Sequence, residues 1–130
     1  MNELAQAYWE RAVKTLEIAT TVLTIDATTS ASRSYYAAFY AVSALFLLDG
    51  KKFKKHKALE AAIHRDLINT GRWPQEGGKE FTYLMDIRTS ADYTLTRVIS
   101  PEMAQHALTY AQSIVRRVAA TRPDVFRFEV

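Results

Sequence analysis

The stretch SRSYYAAFYAVSALFLLDG, Ser32 to Gly50, is apolar around nearly its whole circumference at the helical repeat. It predicts a central, buried helix over about Ala31 to Leu48, closed at Gly50, a residue suited to the left-handed C-terminal cap. Ala37, Ala38, Ala41 and Ala44 leave room for other backbones to approach closely, and Phe39, Tyr40, Leu45 and Phe46 fill the space between. A helix of this kind must be surrounded, so the rest of the chain is read for what surrounds it.

Upstream, about Glu3 to Leu23 reads as a helix with Asn2 as its N-cap and an apolar stripe through Leu4, Ala7, Tyr8, Ala12, Leu16, Ala19 and Leu23. The polar segment Asp26 to Ser30 supplies turn and capping groups. Downstream, a third helix is expected over about Lys55 to Asn69, stopping at Thr70-Gly71. The segment RWPQEGG, Arg72 to Gly78, carries Pro74 and a glycine pair and reads as a break. A fourth helix is expected over about Lys79 to Val98. Ser100 as N-cap, Pro101 at the first helical position and Glu102 then open a fifth, running to about Ala120. Met103, Ala107, Tyr110, Ala111, Ile114 and Val118 form its expected inner face. Residues 121–130 form a tail that either packs as an extended segment or frays. The prediction is an all-α, antiparallel bundle of about five helices, one domain spanning 1–130.

Composition agrees with a folded domain. Hydrophobic residues make up 48% and charged residues 24% of 130, which argues against disorder. With no cysteine, disulfides, thiolate catalysis and cysteine-ligated zinc are excluded, and a reducing cytoplasm is the expected compartment. The start, MNELAQAYWERAVK, lacks the basic-then-apolar order of a signal peptide, and Ala37 to Leu48 is too short to cross a bilayer. Net charge is only +3, but KKFKKHK, Lys51 to Lys57, places five of the 17 basic residues within seven positions. Such a run either attracts phosphate or an acidic surface, or is a solvated loop.

Three sets of side chains have chemistry to offer. Arg33, with Tyr36 at i+3 and Tyr40 a further four on, lies on one face of the central helix beside Tyr35; its guanidinium suits a carboxylate or a phosphate, and the tyrosines also suit core filling. In IRTSADY, Ile87 to Tyr93, Arg88 and Asp92 stand one turn apart, giving either an intrahelical ion pair or a polar site shared between helices. His56, next to Lys55 at the start of the third helix, is placed to act as an acid–base group or a phosphate contact, whereas His64 and His106 read as surface or packing residues. No histidine and carboxylate set has metal-ligand spacing, no cofactor is implied, and there is no phosphate-cradling glycine loop or nucleophile elbow.

The SRSYYAAFYA element resembles the segment that marks stand-alone prokaryotic HEPN proteins. Lys55-His56, the helix closed by Asn69-Thr70-Gly71, and Arg88 followed by Ala91-Asp92-Tyr93 come in that family's order, so the likeness runs from about Ala12 to Tyr110. It implies an antiparallel helical bundle that usually forms a homodimer, often encoded beside a minimal nucleotidyltransferase as a toxin–antitoxin pair; the N-terminus and the short apolar stretch already argue against a membrane protein. Many members are metal-independent ribonucleases that use an arginine followed four to six residues later by histidine, the histidine moving a proton while the arginine stabilises the charged phosphorane. Here Thr89, Ser90, Ala91, Asp92, Tyr93 and Thr94 follow Arg88, and Arg33, Arg65 and Arg97 also lack a histidine at that spacing.

Three functions are therefore expected, in order: an interaction and regulatory module whose basic site (Arg33, Tyr36, Lys55, His56, Arg88, Asp92) binds nucleotide or RNA; a divergent endoribonuclease toxin with Arg33, His56, Arg88 and Asp92 as candidate catalytic groups; and a purely structural dimer.

Overall fold

The computed structural model describes residues 2–93 and 98–128, and within them every regular element is helical, with no strand. The elements are α1 (Glu3–Val22), α2 (Ala27–Leu47), α3 (His56–Ala62), a π-helical turn (Ile63–Ile68), α4 (Gln75–Tyr93) and α5 (Pro101–Thr121). The all-α antiparallel bundle is as expected, with α2 packed against α1, α4 and α5.

Helix α2 starts at Ala27, four residues earlier than its hydrophobic pattern indicates. The reason is its cap: the Asp26 carboxylate accepts the Thr29 amide at 3.2 Å and also the Thr29 hydroxyl. The polar residues read as a turn thus become the first helical turn. Ala37, Ala38, Ala41 and Ala44 are fully buried, as a helix enclosed by neighbouring backbones requires. Gly50 closes the element at φ 74°, where a side chain would be strained.

The inner stripe of α1 differs from the expected one. Ala5, Trp9, Ala12, Leu16 and Ala19 are buried, while Leu4 is 45% exposed and Ala7 faces outward. Trp9 decides the rotation. Its indole packs on Phe126 with ring centroids 5.0 Å apart and donates to the Arg127 carbonyl at 3.2 Å. The same contacts settle the described part of the tail in favour of packing, with Phe126 only 1% exposed. Asn2 donating to the Leu47 carbonyl and Ser30 to the Ala19 carbonyl fix α1 and α2 in antiparallel register.

The expected third helix is interrupted: after Ala62 it widens into the π-helical turn before Gly71 ends it at φ 79°. The segment read as a break is a loop only as far as Pro74. Gly77 and Gly78 lie inside the first turn of α4, and both are buried. A Cβ on Gly78 would stand 2.7 Å from the His64 ring, and one on Gly77 3.0 Å from Trp73. The pair therefore marks close approach between elements. Of the expected extension of α4 to Val98, residues 94–97, Arg97 among them, lie outside the described residues, and Val98 itself is not helical. Helix α5 begins as expected, Ser100 Oγ accepting the Met103 amide at 3.1 Å. Its inner face is Ala104, Ala107, Leu108, Ala111, Ile114, Val115 and Val118; Met103 and Tyr110 are half-buried at its margin. Among the described residues, no helix is long and apolar enough to cross a membrane.

Candidate functional site

The antiparallel packing of α2 on α4 brings Arg33 and Tyr36 to the same place as Arg88 and Asp92, and the start of α3 adds His56. Arg88 is the hub. Its Nη2 donates to Tyr36 Oη at 3.2 Å and to Tyr93 Oη at 3.0 Å, and its Nε donates to Asp92 Oδ2 at 3.2 Å. The intrahelical ion pair of Arg88 and Asp92 exists, and the hydrogen bonds to Tyr36 and from Ser32 join it to α2. The Ser32 hydroxyl donates to the other carboxylate oxygen, Asp92 Oδ1, at 2.7 Å. The Arg88 side chain is only 11% exposed. Burial works against its charge, but the hydrogen bond to Tyr36 and the nearby Tyr93 and Asp92 outweigh it and raise its pKa.

Arg33 lies over the face of Tyr36, Cζ 4.6 Å from the ring centroid, and forms no ion pair among the described residues. Two guanidinium groups, one paired and one not, thus meet at a single tyrosine, a cation–π arrangement. Lys55 is exposed at the N-cap position of α3 with no capping hydrogen bond from its side chain. Lys52, Lys54 and Lys57 are also exposed around it, while Phe53 anchors the basic run by packing on Phe46 at 5.3 Å.

His56 is half-buried among aromatic rings, with Phe39 at 4.9 Å, Tyr35 at 5.4 Å and Tyr36 at 6.1 Å. Its Nδ1 lies 2.6 Å from Tyr35 Oη. Tyr35 is fully buried, and burial, partly offset by Arg88, pushes its hydroxyl well above the usual tyrosine range, so it stays protonated. That proton needs an acceptor, and among the described residues His56 Nδ1 is the one within reach. The hydroxyl therefore donates to Nδ1, which leaves neutral His56 with its proton on Nε2. Burial first, then Arg88, lowers the His56 pKa, with Asp92 opposing. At neutral pH the ring is uncharged and offers an N–H donor, which suits holding a phosphate oxygen or a base edge better than taking up a proton.

Ser32, Tyr35 and Tyr93 are the site residues that sequence reasoning did not single out for the roles they take. Ser32 stands one turn before Tyr36, an i,i+4 signal that could have placed it on the same face. The Tyr35–His56 contact crosses between elements and has no local signal. His64 and His106 are exposed and lie outside the cluster.

The model of the HEPN domain matches residues 5–121 of this chain. A UPF0332 protein from Thermotoga maritima is 40% identical over 97 residues, covering 72% of this chain and 74% of that relative.

Proposed function

The chain belongs to the HEPN domain family, and we propose that it serves as a dimeric interaction and regulatory module that holds a nucleotide or RNA without cutting it, paired with a minimal nucleotidyltransferase in a toxin–antitoxin-like system. The observation that carries this reading is the position of Asp92. It stands four residues after Arg88, where a cutting member of the family carries histidine, and it is held there by Arg88 and Ser32. The negative charge of a carboxylate at that point repels a scissile phosphate, and both of its oxygens are already engaged by Arg88 and Ser32. Arg33, Lys55 and the Nε2–H of His56 supply donors of the right charge and kind for a phosphate-bearing ligand.

The test is titration of the purified protein with adenosine nucleotides and short RNA at low and high salt, combined with a metal-free RNA cleavage assay. Binding that weakens with salt and in Arg33→Ala, with the RNA left intact, is the expected result. No binding at low salt leaves only the structural dimer and ends this reading. Co-expression with a nucleotidyltransferase encoded next to the gene, followed by co-purification, tests the partnership.

The meeting of His56 and Arg88 at Tyr36 favours a second reading, a divergent endoribonuclease in which His56 from α3 replaces the missing histidine. Metal-independent cleavage by the wild type that disappears in His56→Ala and Arg88→Ala would establish it.

A further inference from the structure

Helices α1 and α2 leave a groove of about 220 Å³ lined by Leu4, Ala7, Tyr8, Arg11 and Tyr40. It lies on the outward side of α1 that the rotation about Trp9 exposes, so Leu4 and Ala7 open onto it. Its walls are apolar and aromatic, and its one charged lining group among the described residues is the cation of Arg11. Tyr8 and Tyr40 meet edge to face, with centroids 6.1 Å apart and planes at 62°. Tyr40 in turn lies 6.2 Å from Tyr36, the ring that carries Arg33 and accepts from Arg88. A continuous run of rings, Tyr8, Tyr40 and Tyr36, thus leads from the groove to the two guanidinium groups.

Unpaired bases of a single strand stack on aromatic faces whatever their sequence, while the phosphates between them need cations a step away. Rings and cations alternate here in that manner: Arg11 in the groove, the tyrosines beyond it, and Arg33 past Tyr36, with neither Arg11 nor Arg33 in an ion pair among the described residues. A peptide or a second copy of the chain could use the apolar wall but gives no reason for unpaired cations at both ends. We propose that the groove seats an unpaired base of a single-stranded RNA whose adjoining phosphate lies on Arg33. The proposal rests on the reading of that cluster as a phosphate site, and it specifies the ligand class: a strand with free bases, as opposed to a duplex or a lone phosphate.

The experiment measures binding of a fluorescein-labelled short oligoadenylate and an abasic strand of the same length to the full chain at low salt. The variants are Ala7→Glu, an exposed position that obstructs the groove without touching the core, Tyr40→Ala and Tyr40→Phe. Tyr40→Ala is expected to weaken oligoadenylate binding about tenfold, roughly the weight of one stacked base, with abasic binding nearly unchanged. Ala7→Glu, which also sets a negative charge one turn from Arg11, is expected to weaken both strands, the oligoadenylate more. Tyr40→Phe, which keeps the ring, should bind like the wild type. Oligoadenylate affinity unchanged in Ala7→Glu, while Arg33→Ala still abolishes it, overturns the groove proposal alone. Failure of the wild type to bind either strand overturns the phosphate site and the groove with it. A shift of Ala7→Glu from dimer to monomer with RNA binding intact assigns the groove to a second copy and also overturns the proposal.

Discussion

Tyr35 Oη and His56 Nδ1 lie 2.6 Å apart, tying a fully buried position on α2 to the first residue of α3. This contact fixes both the orientation and the tautomer of the imidazole. Tyr35→Phe removes the donor while keeping the ring that packs on Phe81 at 5.6 Å. The expected loss of stability is about 1 kcal/mol, that of one hydrogen bond. A bond donated to Nδ1 favours the neutral ring, so its removal should raise the His56 pKa toward the ordinary histidine value. Titration of the ring nitrogens by NMR reads both tautomer and pKa; a downward shift in the variant would refute the assignment of donor and acceptor.

The depressed pKa of His56 has a consequence for acid stability. The unfolded chain takes up this proton near the ordinary value of about 6.5, while the folded chain resists it. The contribution of His56 is therefore complete above that value and is lost as pH falls through the folded pKa. Urea midpoints of the wild type should fall between pH 7 and pH 5 more steeply than those of His56→Gln. Parallel pH profiles of the two proteins would contradict this.

Asp92 competes with any anionic ligand for Arg88. Asp92→Asn keeps the side-chain shape and a hydrogen-bond acceptor for Ser32 while removing the negative charge. Phosphate-bearing ligands should then bind about two- to fivefold more tightly at low salt, the scale of one partly solvated charge pair. Calorimetric titration with adenosine monophosphate checks this, and weaker binding by the variant would mean that Asp92 orients the ligand instead of opposing it.

How far this arrangement is legible from sequence depends on whether the relation is local. Arg88 with Asp92 and Arg33 with Tyr36 are separated by a single turn, and helical periodicity alone places each pair on one face. Tyr35 with His56 and Ser32 with Asp92 join different helices, so they depend on how α2, α3 and α4 cross, which no short-range pattern encodes. The helix caps were equally local and readable at Ser100 and Gly50. The inner stripe of α1 is ambiguous in sequence because Leu4, Ala7 and Tyr8 satisfy the same periodicity as Ala5 and Trp9. The choice between them comes from a tail residue, Phe126, more than a hundred positions away.

That distant contact gives a stability prediction. Phe126 is 1% exposed and packs on Trp9, itself 2% exposed. Phe126→Ala should lower stability by about 3 kcal/mol or more through lost burial and the cavity left behind. Trp9 fluorescence should shift to the red as water reaches the indole. Urea unfolding with an unchanged midpoint would show that the tail merely rests on the bundle.

The adjacent glycines of α4 should respond oppositely to alanine, because what each Cβ meets differs. At Gly78 the obstacle is the His64 ring at 2.7 Å, the far end of an exposed side chain that can swing into solvent. Gly78→Ala should therefore be neutral or stabilising by up to about 1 kcal/mol, since alanine is the better helix former. At Gly77 the obstacle is Trp73 at 3.0 Å, which is 3% exposed and donates its indole N–H to Thr121 Oγ1 at 2.9 Å. That ring has little room to retreat without breaking its hydrogen bond, so Gly77→Ala should destabilise by about 1–3 kcal/mol. Thermal unfolding of the two single variants decides between this account and the simpler one in which both glycines are helix breakers. In the simpler account both alanines stabilise; here only Gly78→Ala can.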